Sequence, residues 1–215
     1  MTPYQLFVDS ADESAVAPLL DARIVEGVTT NPTILRRAGV GPSDIPRLHA
    51  AWRGAAARRL FFQAWGADVD SMLGRARRIA ALGPDITVKV PATRTGFTVG
   101  RALVEQGTPV LVTAVYSTAQ AIGAAAIGAE FIAPYLGRLD DAGRDGVAEI
   151  GAMHDALDGT GTSVLAASLR TPDAIVTLAA RGVRAFTAAP DVIWALLQDD
   201  TSDTSAATFD VDSLE

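Results

Sequence analysis

The 215-residue chain has no cysteine, two histidines and a single lysine. Without cysteine it can build neither a disulfide framework nor a thiolate metal site, and it fits a reducing, cytoplasmic setting. His49 and His154 fall in separate helical stretches, so a histidine-rich metal site and a Ser-His-Asp triad both lack their parts. Positive charge is scarce too. Against 25 acidic residues stand 18 basic ones, a net charge of -7, which excludes the basic footprint of nucleic-acid or anionic-membrane binding. No apolar run approaches the roughly 20 residues of a membrane helix; the stretch Ala119 to Ala129 is built largely of Ala and Gly. Met1 to Ser10 lack the charged and apolar regions of a signal peptide. Also missing are the Gly-x-Ser-x-Gly elbow, the P-loop, and a Gly-x-Gly-x-x-Gly fingerprint after the first strand-like run. The usual hydrolase nucleophile and nucleotide cradle are therefore not there.

What is present is a chain 49% hydrophobic, long enough to bury a sizeable core. Short apolar runs alternate with helical stretches. The strand-like runs are Gln5 to Asp9, Ile24 to Thr29, Leu60 to Ala64, Ile86 to Val90, Val110 to Ala114, Phe131 to Tyr135, Val164 to Ala167 and Ala185 to Thr187. Helical candidates lie between them: Glu13 to Leu20, Pro32 to Ala38, Ile45 to Ala57, Val69 to Leu82, Phe97 to Gln106, Ala119 to Gly128, Val147 to Leu157, Pro172 to Ala180 and Pro190 to Leu197. The segment Asp140 to Gly146 reads as a turn ahead of a helix. Eight alternating units predict a single α/β domain, a compact (β/α)8 barrel over residues 1–197 followed by a polar, acidic tail over 198–215. An open doubly wound sheet is the rival architecture.

The chain carries 17 arginines and keeps lysine only at Lys89. Arginine holds its charge at any physiological pH, whereas burial can strip a lysine of its proton and leave a nucleophilic amine. Lys89 stands inside the β-branched run Ile86-Thr87-Val88-Lys89-Val90-Pro91, where an ordinary charge has no place. In a barrel, catalytic groups gather at the carboxyl ends of the strands. Those ends carry Asp9, Thr29-Thr30-Asn31, Gln63, Lys89, Thr113, Tyr135 with Arg138, Ser168 with Arg170, and Thr187. A neutral amine in such a ring can attack a ketone and form a Schiff base, an electron sink that makes a neighbouring carbon–carbon bond breakable. Arg138 and Arg170 offer guanidinium forks to an anion such as phosphate.

These residues carry a family pattern. Phe7-Val8-Asp9-Ser10, Gly27-Val28-Thr29-Thr30-Asn31-Pro32, Val88-Lys89-Val90-Pro91, Thr113-Ala114-Val115-Tyr116, Ala133-Pro134-Tyr135 with Arg138, and Ala166-Ala167-Ser168-Leu169-Arg170 resemble the transaldolase family, and within it the small fructose-6-phosphate aldolases. The resemblance implies a (β/α)8 barrel, no metal or organic cofactor, and Lys89 as Schiff-base residue. It makes Asp9, Gln63, Thr113 and Tyr135 catalytic. Asp9 and Asn31 would orient substrate hydroxyls; Gln63, Thr113 and Tyr135 would hold a catalytic water, with Tyr135 as acid–base partner. Thr29 joins Asn31 on the substrate-binding side, and Ser168, Arg138 and Arg170 form the phosphate end.

Ordinary transaldolases resemble this arrangement but place Glu where Gln63 stands and Phe where Tyr135 stands; both differences point to the aldolase branch. The implied reaction makes or breaks a bond between a dihydroxyacetone-type donor and an aldehyde such as glyceraldehyde 3-phosphate. The implied partners are a sugar or sugar phosphate and further copies of the chain, since the family's terminal helix clasps a neighbour in a ring. Here the tail keeps Phe209 of that helix without the tryptophan that follows it. Transfer of a dihydroxyacetone unit between sugar phosphates, and a non-catalytic binding or scaffold barrel, stand as alternatives. The bulky Leu6-Phe7, Phe61-Phe62 and Trp65 read as outward packing.

Overall fold

A computed structural model describes residues 3–213. Eight parallel strands close on themselves in sequence order: β1 (Gln5–Asp9), β2 (Gly27–Thr29), β3 (Arg59–Gln63), β4 (Ile86–Pro91), β5 (Val110–Val115), β6 (Phe131–Pro134), β7 (Ser163–Leu169) and β8 (Ala185–Ala188), with β8 returning to pair β1. The rival open sheet is thereby excluded and the (β/α)8 barrel stands. Around it run α1 (Glu13–Asp21), α2 (Pro32–Arg37), α3 (Ile45–Gly54), α4 (Val69–Ala80), α5 (Arg94–Glu105), α6 (Thr118–Ala126), α7 (Leu136–Asp141), α8 (Gly146–Ala156), α9 (Pro172–Ala180), α10 (Pro190–Leu196) and α11 (Asp200–Asp212). Side-chain caps at Asp12, Asn31, Asp68, Ser117, Asp145 and Thr171 accept from the first free amides of their helices. Thr93 does the same through Gly96 and starts α5 three residues ahead of the expected Phe97.

Alternation along each strand divides the core in two. On β4, Ile86, Val88 and Val90 face outward into the main core beneath the helices, while Thr87 and Lys89 face the barrel axis, in register with Phe61 and Gln63 of β3. The axis holds a second cluster that includes Phe7, Phe61, Leu111, Phe131 and Leu165. Phe7 and Phe61 therefore pack inward, which corrects the outward packing expected of them, and they form an apolar floor under the mouth. Phe62 does point outward, stacked on Trp52 at 5.9 Å between ring centroids. At the amino-terminal end Arg59 crosses to Glu130 with two hydrogen bonds of 2.7 and 2.6 Å, its guanidinium lying over the rings of Phe61 and Phe131. That end of the barrel is plugged, so the site opens at the other.

The differences from expectation are local. β2 is only three residues long; Gly27 begins it because a Cβ there would fall 1.7 Å from the Arg59 carbonyl. Tyr135 leaves β6, bridges to Ala167 and starts α7 without a side-chain cap, so a helix replaces the first part of the expected loop. Ladders β5·β6 and β7·β8 each skip a step, at Ala114 and Ser168, both with φ of 57°. These bulges break the alternation and turn one extra residue of each strand into the mouth. α11 buries none of its residues.

Candidate active site

At the carboxyl ends of the strands lies a cavity of about 480 Å³, lined by Asp9, Asn31, Gln63, Thr113, Tyr135, Arg138, Ser168 and Arg170 among others. Six different strands or the turns after them supply these groups, which is why residues 160 positions apart meet. Lys89 rises from β4 beside Gln63 and is 3% exposed. Burial pushes its pKa below the ordinary lysine value, and only the nearby Asp9 pushes back. Its neighbours Gln63 and Thr113 line the cavity, and Lys89 lies just behind that surface.

Asp9 is the mirror case. Burial raises its carboxyl pKa above the usual range, while Lys89 and a hydrogen bond from Thr29 Oγ1 hold it down. That bond is 2.6 Å, and the same hydroxyl lies 2.6 Å from Thr187 Oγ1. Thr29 is completely buried and does not reach the cavity surface. Its hydroxyl is set against Asp9 instead of on the cavity wall. Its contacts with Asp9 and Thr187 follow from the closure of β8 onto β1. Asn31 spends its side-chain oxygen on the amides of Thr33 and Ile34, which leaves its amide nitrogen as the group that can face a ligand.

Tyr135 and Thr113 share a 2.8 Å hydrogen bond between hydroxyls. Burial raises the phenol's pKa, so the proton stays on and the group can donate at neutral pH. Tyr116 packs edge-on against the same ring, 6.0 Å between centroids at 84°. Arg170 is held in a two-point ion pair with Asp141 at 2.8 and 2.6 Å. Arg138 enters no ion pair among the described residues. Among those residues no group of three or more His, Asp and Glu side chains converges on one point, and no helix is long and apolar enough to cross a membrane.

Sequence reasoning missed three contributors to the wall. Ala114 enters through its bulge. Ala188 and Ala189 close the β8 side, and Thr33, Ile34 and Arg37 present one face of α2. The (i, i+4) spacing of Thr33 and Arg37 was the one signal available for the last set.

A barrel that holds one desolvated amine and one desolvated carboxylate at the open end, over an apolar floor, is organised as an enzyme. The model of the transaldolase/fructose-6-phosphate aldolase family matches residues 6–214, and the chain belongs to that family. A protein of Cereibacter sphaeroides named probable transaldolase is 38% identical over 211 residues, 97% of this chain and 94% of that one. Proteins of the same name from Roseobacter denitrificans and Rhodospirillum centenum are 35% and 36% identical, over 95% and 97% of this chain and 94% and 90% of theirs. Among solved structures, a mandelate oxidase mutant superposes with a TM-score of 0.59 at 20% identity, over 90% of this chain and 66% of the oxidase chain. At that identity the likeness concerns the barrel alone.

Proposed function

We propose that the protein is a Schiff-base aldolase acting on a dihydroxyacetone-type ketone and an aldehyde such as glyceraldehyde 3-phosphate. The observation that carries this reading is the state of Lys89, a buried amine with a lowered pKa, in register with Gln63 and next to a cavity lined by Asp9, Gln63, Thr113 and Tyr135. The neutral amine adds to the ketone carbon, and the carbinolamine loses water to give an iminium. Asp9 then accepts the proton of the hydroxyl beside the scissile bond. That carbon–carbon bond breaks, its electron pair moves through the former ketone carbon to nitrogen, and an aldehyde leaves. Protonation of the resulting enamine carbon and hydrolysis return the ketone and the free amine. Tyr135, paired with Thr113, supplies and recovers protons through a water that Gln63 helps to hold. Arg138 and Ser168 receive the phosphate end, assisted by Arg170.

Gln63 and Tyr135, standing where ordinary transaldolases place Glu and Phe, favour release of a free donor over its transfer. A second reading is favoured by the name shared by the relatives: transfer of the dihydroxyacetone unit to an acceptor sugar phosphate. Borohydride reduction in the presence of dihydroxyacetone, followed by peptide mass mapping, tests the chemistry common to both. Labelling at Lys89 is expected, and labelling elsewhere overturns the reading. Cleavage of fructose 6-phosphate without an acceptor then identifies the aldolase, while turnover only with an added aldose phosphate identifies the transferase.

A further inference from the structure

The cavity wall contains a cation that the proposed chemistry does not use. Arg37 ends α2, whose cavity-facing side also carries Thr33 and Ile34. It is exposed and, like Arg138, joins no ion pair among the described residues. Arg170, by contrast, is occupied by Asp141. The one carboxylate lining the cavity is Asp9, down at its floor and already engaged by Thr29. The rim therefore holds two arginines outside the ion pairs among the described residues, Arg37 and Arg138, the latter with Asp141 nearby, and their placement is informative. α2 follows β2 and α7, which carries Arg138, follows β6; in a closed ring of eight strands these stand diametrically opposite. Lys89 is on β4, two strands from each. A ligand joined to that amine has one cation toward either end of its chain.

We infer that Arg37 is a specificity-determining residue for a second anionic group, so that the site takes carbon chains with an anion at each end. Arg138 holds one terminus and Arg37 the other. This deepens the aldolase reading and rests on it for the position of the ligand, but it is tested without the imine. The probes are mannitol 6-phosphate and mannitol 1,6-bisphosphate, whose polyol chain has two ends equivalent by symmetry; neither has a carbonyl, so neither can react with Lys89. Titration calorimetry at low ionic strength, where surface charge is least screened, gives the ratio of their affinities.

The wild-type protein is expected to prefer the bisphosphate at least tenfold, well above the twofold statistical advantage of a ligand with two equivalent ends. Arg37→Gln is expected to bring the ratio to about two. Arg36→Gln removes the same charge from the neighbouring residue, which does not line the cavity, and is expected to keep the ratio. Equal affinities in the wild type, a ratio unmoved by Arg37→Gln, an equal drop in Arg36→Gln, or no binding of either polyol would each overturn the inference. Failure of borohydride trapping with the ratio intact would instead remove the imine and leave the two-ended clamp.

Discussion

Replacing Lys89 by methionine separates the two things a buried amine does. The substitution keeps an unbranched side chain of similar length and removes the nucleophile, so turnover is expected to fall by four orders of magnitude or more, about 5.4 kcal/mol at 1.36 kcal/mol per tenfold. Stability is expected to move the other way. Lys89 is 3% exposed and burial disfavours its ammonium form, and relief of a desolvation penalty of this kind is typically worth about 1–3 kcal/mol. For a chain of this length that corresponds to a rise of roughly 2–12 °C in Tm, at about 2–4 °C per kcal/mol. Part of the gain is lost on Asp9, whose carboxylate then lacks the amine that holds its pKa down; the double variant Lys89→Met/Asp9→Asn recovers it.

The sign with pH follows from linkage. A lysine whose folded pKa is lowered binds fewer protons folded than unfolded, so the wild type loses stability as pH falls from the ordinary lysine value near 10.4 toward the folded one. The advantage of the double variant is therefore largest near neutral pH and fades as pH approaches about 10.4. Thermal unfolding at a series of pH values checks this. A double variant less stable than the wild type at pH 7, or an advantage that does not change with pH, would refute the claim that desolvation governs this amine.

Three further predictions concern its neighbours. Asp9 raises the pKa of Lys89, so Asp9→Asn is expected to shift the acid limb of the kcat/KM profile to lower pH while reducing kcat; a limb that stays or moves upward would mean that another group sets it. Tyr135→Phe removes the phenol that bonds Thr113 and is expected to lower kcat by about 10²–10⁴, the usual contribution of a positioned acid–base group, with little change in KM; stopped assays over the neutral range measure it. Ala114→Gly relieves a left-handed residue at the β5 bulge, a conformation that costs an L-residue roughly 1–2 kcal/mol against about 0.5–1 kcal/mol of added chain entropy. Chemical denaturation is expected to show a gain of up to about 1 kcal/mol, whereas Ala125→Gly inside α6 is expected to lose about that amount.

Most of the barrel was readable because each strand is a short apolar run set between helices with polar caps, and the wall residues stand at run ends. Lys89 was readable for a different reason, being the one charge inside such a run. The parts that were not readable depend on what lies across the ring. Nothing near Thr29 in sequence announces Thr187, 158 positions away, yet that pairing backs the hydroxyl that donates to Asp9. Phe61 and Phe62 are chemically equal neighbours, and only the register with Thr87 and Val88 sends one to the axis and the other to the helices. The bulges at Ala114 and Ser168 carry no glycine to mark them. α7 opens on an uncapped Tyr135, so its start gives no local signal either.

The threonine link also resolves an electrostatic conflict in the site. A carboxylate close to the amine favours the ammonium form, which cannot attack a carbonyl, but a site without a base cannot take the hydroxyl proton when the carbon–carbon bond breaks. Moving Asp9 away would free the amine and lose the base. Here the Thr29 hydroxyl, backed by Thr187, gives the carboxylate a hydrogen bond that does not come from Lys89. Asp9 can then remain an acceptor while depending less on the ammonium for its charge. Burial acts on both partners and favours the neutral form of each, whereas the hydroxyl pair supports only the anion. In the proposed chemistry, the buried Thr29–Thr187 pair is what would make a nucleophilic lysine and a basic aspartate compatible in one pocket.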